Sequence, residues 1–195
     1  MKFYHELEFN DCLGHHILLY GETNTKKTYY TAKFVQFLIE SKKISPKEIS
    51  ILDFAPLLKI IQNLKIGGKI QDFYKNSSKC KNIFFKGEII PPRLKSSNKT
   101  ELYQNACKNF KQTSEILHIF NKDPTPILII NDISIYLHIG NIKLLLEVIN
   151  KSNTFFGNSY YGSSIKRDYA ILFSLREKRQ VGYLIKKVEK SYFTG

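Results

Sequence analysis

The residues best suited to chemistry form one polar stretch, Gly21, Glu22, Thr23, Asn24, Thr25, Lys26, Lys27 and Thr28. An apolar run, residues 17–20, precedes this stretch, and a segment with helical periodicity follows it. A polar loop that joins a strand to a helix presents its N–H groups and the helix N-terminus to an anion. The lysine adds an ammonium that reaches the outer phosphates, and the threonine adds a hydroxyl that holds magnesium. The whole stretch is therefore predicted to bind a nucleotide.

Two carboxylates stand at the ends of apolar runs elsewhere in the chain. Asp132 ends the run Ile127-Leu128-Ile129-Ile130-Asn131, and Asp53 lies near the end of the run 49–54. Parallel strands of an open sheet present their carboxyl ends at one edge, where ligands bind, so both acids are expected beside the loop. Asp132 is expected to hold magnesium through water, and Asp53 to orient a water or a substrate hydroxyl. A second interpretation of Asp53 stays open, in which it only caps the turn before Pro56.

The polar stretch resembles the Walker A motif of P-loop NTPases, G-x-x-x-x-G-K-[ST], at every fixed position except the second glycine, where Lys26 stands. The run ending in Asp132 resembles the Walker B motif. The resemblance implies a three-layer α/β/α sandwich with a mainly parallel central sheet, which binds ATP or GTP with Mg²⁺. It implies that Lys27 contacts the β and γ oxygens and that Thr28 and Asp132 position the metal. The catalytic candidates are Lys27, Asp53 and Asp132.

The lysine at position 26 bears on activity more than on fold. Glycine at this point lets the backbone approach the phosphates with no Cβ in the way, so the Lys26 side chain must point outward. P-loop families that place a catalytic glutamate directly after Walker B are also disfavoured, because Ile133 follows Asp132. The sequence therefore predicts that nucleotide binding persists even where hydrolysis is slow or lost.

The remaining apolar patterns predict the elements that position these residues. Strands are predicted at residues 15–20, 49–54, 127–132 and 154–156, and helices over 27–41, 100–120 and 141–151. A last helix, to about residue 187, is predicted from the capping box Ser174-Leu175-Arg176-Glu177. Residues 188–193 are either a closing strand or a tail. The order strand, helix, strand implies a parallel pair, and residues 1–195 are predicted to form a single P-loop NTPase-like domain.

Residues 57–99 interrupt this alternation and are predicted to form an insert or a lid. The net charge of the chain is +13, and residues 57–111 hold 12 Lys and Arg against 3 Asp and Glu. Such an excess fits an anionic substrate or a nucleic acid as a partner of the basic insert. It also fits an exposed insert whose charges are only solvated. Both interpretations stay open.

The cysteines and the lengths of the apolar runs indicate where in the cell the protein is expected. The cysteines Cys12, Cys80 and Cys107 have neither a paired spacing nor a metal-ligand spacing. Their pattern argues against a disulfide framework and a structural zinc site, and it suits a reducing cytosol. No apolar run approaches the ~20 residues that span a bilayer. A cytoplasmic protein with no membrane partner is therefore expected.

Three functions remain open. The first is a Mg²⁺-dependent ATPase, with ATP preferred to GTP because the chain has no N-K-x-D base-reading motif. The second is a small-molecule kinase whose acceptor is held by Asp53 and the region Gly67-Gly68. The third is a module that binds nucleotide or nucleic acid without turnover. An ATPase needs no acceptor and a kinase does, whereas the binding module releases no phosphate.

Overall fold

A computed structural model describes residues 7–61, 64–84, 87–165 and 167–195. Within these ranges the chain forms an α/β fold around one six-stranded sheet. The strands are β1 His16–Gly21, β2 Ile49–Asp53, β3 Lys59–Ile61, β4 Leu64–Ile66, β5 Lys81–Asn82, β6 Ile127–Asn131, β7 Thr154–Tyr160 and β8 Lys190–Phe193. β3 and β4 form an antiparallel hairpin of their own, outside the main sheet.

The main sheet has the strand order β5-β2-β6-β7-β1-β8, and every neighbouring pair is parallel. The parallel sheet predicted from the sequence is thus confirmed, and β8 is a closing strand. β7 lies between β1 and β6, so one strand separates the loop after β1 from the residues after β6. Parallel strands end at a common edge, which brings the predicted site residues to one side of the molecule.

Helices flank the sheet. They are α1 Lys27–Gln36, α2 Ile70–Phe73, α3 Pro92–Lys95, α4 Lys99–Lys122, α5 Ser134–Leu137, α6 Ile142–Ile149 and α7 Ile171–Ile185. α1 continues into a π-helical turn over Phe37–Ser41, which confirms the helix predicted over 27–41. The capping box predicted at Ser174 is wrong, because α7 begins at Ile171 and buries Glu177 in its interior. Among the described helices, none is both long and apolar enough to cross a membrane.

Two apolar layers hold the sandwich together. Successive strand residues point to opposite faces of a sheet, so Leu19 packs in the layer of α1 and Leu18 in the layer of α4, α5, α6 and α7. In the α1 layer the rings of Phe34 and Phe156 stack with centroids 4.4 Å apart. The sheet is therefore covered by helices on both faces, and the three-layer sandwich predicted from the sequence is confirmed.

The insert at residues 57–99 contains β3, β4, α2, β5 and α3, and its residues 62–63 and 85–86 lie outside the described ranges. α2 packs on α1, and α3 packs on α4. Ile70 and Tyr74 bury their side chains in the α1 layer. These contacts place the described part of the insert next to the loop that follows β1.

Candidate functional site

The loop between β1 and α1 accommodates a lysine at position 26. Lys26 precedes α1 with φ 59° and ψ 15°, which is the left-handed conformation. Glycine adopts this conformation most easily, and a residue with a Cβ is disfavoured there by about 1–2 kcal/mol. The Lys26 side chain is exposed, as the sequence predicted. Lys26 therefore strains the backbone locally, but its side chain stays out of the loop interior.

Gly21 is required by a close approach of the chain after β8. A Cβ added at Gly21 would lie 2.6 Å from the Gly195 carbonyl oxygen and 2.6 Å from the Thr194 hydroxyl. The Glu22 N–H donates to that Gly195 oxygen at 2.6 Å, and the hydroxyls of Thr25 and Thr194 lie 2.6 Å apart. Residues 194–195 thus brace one side of the loop.

The Lys27 ammonium lies inside the loop. Its Nζ donates to the Gly21 carbonyl at 3.1 Å, to the Glu22 carbonyl, and to the Thr25 hydroxyl at 3.1 Å. Burial lowers the pKa of Lys27 to about 8, against the opposing effect of the Asp132 and Glu22 charges. The loop carbonyls hold this ammonium where an anion enclosed by the loop would meet it.

The Thr28 hydroxyl is anchored to Asn131, the last residue of β6. Asn131 Oδ1 accepts from Thr28 Oγ1 at 3.1 Å and from Asn158 Nδ2 at 2.8 Å. Asn131 Nδ2 donates to Asp53 Oδ1 at 2.8 Å and to the Gly68 carbonyl at 3.0 Å. The Asn131 side chain is buried, and its amide uses both acceptor sites of the oxygen and both N–H groups of the nitrogen. Donors on one side and acceptors on the other therefore set its orientation.

Asp132 lies at the same edge in a different orientation. It has φ 58°, its N–H donates to Asn158 Oδ1 at 3.1 Å, and its Oδ1 accepts from the Ser134 hydroxyl at 2.8 Å. Burial raises the pKa of the Asp132 carboxyl, although Ser134, His138 and Lys27 act in the opposite direction. Asp132 is thus a carboxylate near the loop lysine, while the hydrogen bond of Thr28 goes to Asn131.

Asp53 is held by the insert. Its carboxylate accepts from the Ile70 N–H at 2.8 Å, from the Ala55 N–H at 3.2 Å and from Asn131 Nδ2. Lys69 Nζ lies 3.7 Å from its Oδ1, and burial raises its pKa against the effect of that lysine. These contacts favour the interpretation in which Asp53 caps backbone N–H groups over the one in which it orients a substrate.

Glu22 joins the loop to the segment after β7. Its carboxylate accepts from the N–H groups of Ser163 and Ser164 and from the Ser164 hydroxyl at 2.6 Å. Although burial opposes ionisation, these hydrogen bonds hold the pKa of Glu22 below its usual value. The carboxylate of Glu22 is therefore occupied at the rim of the loop.

The loop opens onto a cavity of about 660 Å³, a size typical of sites for small molecules. Asp132 and Ser134, which follow β6, and Asn158 of β7 contribute to a polar wall. The insert makes a second wall, which includes Gly67 of the predicted Gly67-Gly68 region and several apolar side chains. A ligand held in this loop would therefore extend into a space that the insert partly encloses.

A buried ionic cluster beside this cavity was missed by the sequence reasoning. Arg93 of α3 binds Glu177 of α7 through both guanidinium nitrogens, with its second contact at 3.1 Å, and His138 Nε2 lies 3.1 Å from Glu177 Oε1. The three residues are only 6%, 3% and 2% exposed. Although burial opposes ionisation, the charges of Arg93 and His138 hold the pKa of Glu177 below its usual value. Because the three residues lie far apart in the sequence, no motif or spacing predicts that they form a cluster.

The side chains at the sheet edge suit magnesium better than a transition metal. In the described ranges, no three His, Cys, Asp or Glu side chains gather into a metal-binding group. The oxygens near the loop are the Thr28 hydroxyl and the Asp132 carboxylate, and magnesium is usually bound by one or two protein oxygens together with water and substrate phosphates. These oxygen donors are therefore of the type that magnesium prefers.

Comparison of the sequence with protein-family models and with curated proteins finds no match in either. The geometry of the site is therefore the evidence for its function. Its central elements are the loop after β1, the enclosed Lys27 ammonium and the link between Thr28 and Asn131.

Proposed function

We propose that the protein binds a nucleoside triphosphate, ATP in the first instance, in the loop Gly21–Thr28. The observation that carries the proposal is the position of Lys27, the first residue of α1, whose ammonium is enclosed by loop carbonyls. A helix N-terminus attracts anions through its unpaired N–H groups and its dipole. An ammonium held at that point adds a full positive charge where the β and γ phosphates would lie.

Each loop residue has a role in this proposal. The N–H groups of the loop and of the first turn of α1 donate to phosphate oxygens, and Lys27 exchanges loop carbonyls for phosphates. Thr28 and Asp132 would hold Mg²⁺, which neutralises phosphate charge when bound. The partner of the Thr28 hydroxyl is the neutral amide of Asn131. An aspartate at position 131 would add a negative charge beside the phosphates, and the amide does not.

We assign hydrolysis to Asp132, the carboxylate beside the loop lysine. Ile133, and not a second carboxylate, follows Asp132, and an ATPase of low turnover is therefore the activity we propose. The contacts of Asp53 with Ile70 and Asn131 do not favour the kinase hypothesis. A cytoplasmic location and an anionic partner at the basic insert remain part of the proposal.

The proposal is tested by thermal shift with ATP and GTP, each with and without Mg²⁺, and by a phosphate-release assay. A nucleotide at 100 times its Kd should stabilise the folded protein by about 2.7 kcal/mol. Lys27→Ala should abolish the shift, whereas Lys26→Ala, which removes an exposed lysine from the adjacent position, should retain it. The absence of a shift with every nucleotide would overturn the proposal. A shift with no phosphate release would leave binding as the function and exclude turnover.

A further inference from the structure

Three large apolar side chains lie partly exposed in the wall of the cavity next to the phosphate loop. Tyr29 of α1 is 36% exposed, Leu58 of the insert 43% and Phe73 of α2 41%, and all three line the cavity. The rings of Tyr29 and Phe73 meet edge to face with centroids 6.1 Å apart. Phe73 and Leu58 are also neighbours, since both lie within 4 Å of the Cβ position of Gly68. We call Tyr29, Leu58 and Phe73 the aromatic patch.

The aromatic patch is continuous with the phosphate loop. Tyr29 directly follows Thr28 in the first turn of α1, and the same cavity is lined by every residue from Thr23 to Tyr30. A ligand with its phosphates in the loop can therefore reach the patch without leaving the cavity. Exposed apolar surface in a concave site is commonly the part that a ligand covers.

From this arrangement we infer that the aromatic patch receives the base of the bound nucleotide, so that the first turn of α1 and the insert together form the base-binding site. The inference rests on the proposed function. A nucleotide joins a highly charged triphosphate to a flat, mostly apolar ring system, and the cavity offers an ammonium in the loop beside an aromatic surface. Stacking of a base on an aromatic side chain contributes about 1–3 kcal/mol to binding.

The chemistry of the patch also predicts low base selectivity. Discrimination between bases needs buried donors and acceptors that match the base edges. The patch and its cavity neighbours Ile66 and Pro56 carry apolar or aromatic side chains, and the Tyr29 hydroxyl is the polar group among them. The cavity's charged and amide side chains lie outside the patch: Asp132 follows β6, Asn158 lies in β7, Arg93 lies in α3, and Asn24, Lys26 and Lys27 belong to the loop. ATP and GTP should therefore bind with similar affinities.

The test is calorimetric titration of the full chain with ATP, GTP and inorganic tripolyphosphate in the presence of Mg²⁺. Phe73→Ala should weaken ATP and GTP binding by about 5- to 150-fold, the range of one base-stacking contact, and leave tripolyphosphate binding unchanged. Phe73→Leu keeps the apolar bulk without the ring and should fall between wild type and alanine. Phe84→Ala removes a phenylalanine that is 73% exposed and does not line the cavity, and it should change none of the affinities.

The outcomes separate this inference from the proposed function. If neither the nucleotides nor tripolyphosphate bind the wild-type protein, the proposed function fails and the base site fails with it. If nucleotides bind and Lys27→Ala abolishes binding, but Phe73→Ala behaves like Phe84→Ala, only the base site is overturned. A preference for one purine above about 100-fold would contradict recognition by stacking alone. Thermal melting of each variant confirms that the fold is intact.

Discussion

The hydroxyl of Thr28 donates to the side-chain oxygen of Asn131 across 3.1 Å and so ties the start of α1 to the end of β6. Asn131 in turn donates a hydrogen bond from its side-chain N–H to Oδ1 of Asp53 at 2.8 Å. The carboxylate in this series of hydrogen bonds therefore belongs to Asp53 of β2, while Asp132, which follows β6, is not part of it. The neutral Asn131 amide thus orients the Thr28 hydroxyl, and the Asp53 carboxylate orients the Asn131 amide.

Asn131→Asp should destabilise the protein, because a carboxylate oxygen would replace the amide that donates to Asp53 and Gly68. Two buried acceptors lose their donor, so we expect a loss of about 1–3 kcal/mol in the free energy of unfolding at neutral pH. The loss should shrink as pH falls, because a proton shared by the two carboxyls restores a donor. Urea denaturation of Asn131→Asp, Asp53→Asn and the double variant measures the effect. The double variant should be more stable than additivity predicts, and simple additivity would show that the two side chains are not coupled.

Nucleotide binding should take up a proton near pH 8. Burial lowers the pKa of Lys27 to about 8 in the free protein, and phosphate beside the ammonium raises it again. Affinity should therefore be greatest below pH 8 and decrease as pH rises through that value. Calorimetry in buffers of different ionisation enthalpy counts the protons. Lys26→Ala should show the same uptake as wild type, whereas Lys27→Arg, whose side chain stays charged, should show none.

Glu177 should stabilise the fold above about pH 4.3, the ordinary pKa of a glutamate. Its folded pKa is lowered, so its contribution is complete above the unfolded pKa and is lost as pH falls through the folded pKa. Glu177→Gln leaves the Arg93 charge buried without its partner, and we expect a loss of about 3–5 kcal/mol at pH 7. Denaturation curves at several pH values should show the difference from wild type narrowing in acid.

Glu189→Gln is the control for that experiment. Glu189 also has a lowered pKa, through its hydrogen bond with His15 at 2.5 Å, but both side chains are nearly half exposed. An exposed pair contributes little to stability, so this variant should differ only slightly from wild type at any pH. An equal effect of the two substitutions would contradict a special role for the buried cluster.

Lys26→Gly should stabilise the free protein slightly. The left-handed backbone at position 26 disfavours a residue with a Cβ by about 1–2 kcal/mol, and glycine loses part of that gain through its greater freedom in the unfolded chain. We expect a net gain below about 1 kcal/mol and little change in nucleotide affinity, because the Lys26 side chain is exposed. Lys26→Val, which is stiffer at Cβ, should be less stable than wild type. Thermal melting and titration with ATP test both expectations.

Local sequence patterns were sufficient to predict the fold and the position of the loop. The apolar run before Gly21, the helical spacing after Lys27 and the apolar run before Asn131 each belong to one continuous segment. Side chains on one face repeat about every 2 residues in a strand and about every 3.6 in a helix, so one continuous segment is enough to tell the two apart. The parallel sheet followed from the alternation of strands and helices.

Which side chain faces which was decided only by the tertiary structure. Successive residues at a strand end point in different directions, so Thr28 can meet Asn131 or Asp132, and an apolar run ahead of both does not say which. Arg93 and Glu177 come together only because α3 and α7 pack at the same end of the fold. The aromatic patch joins residues of α1 and the insert in the same way. Periodicity depends on neighbours along the chain, whereas these contacts depend on the packing of distant segments.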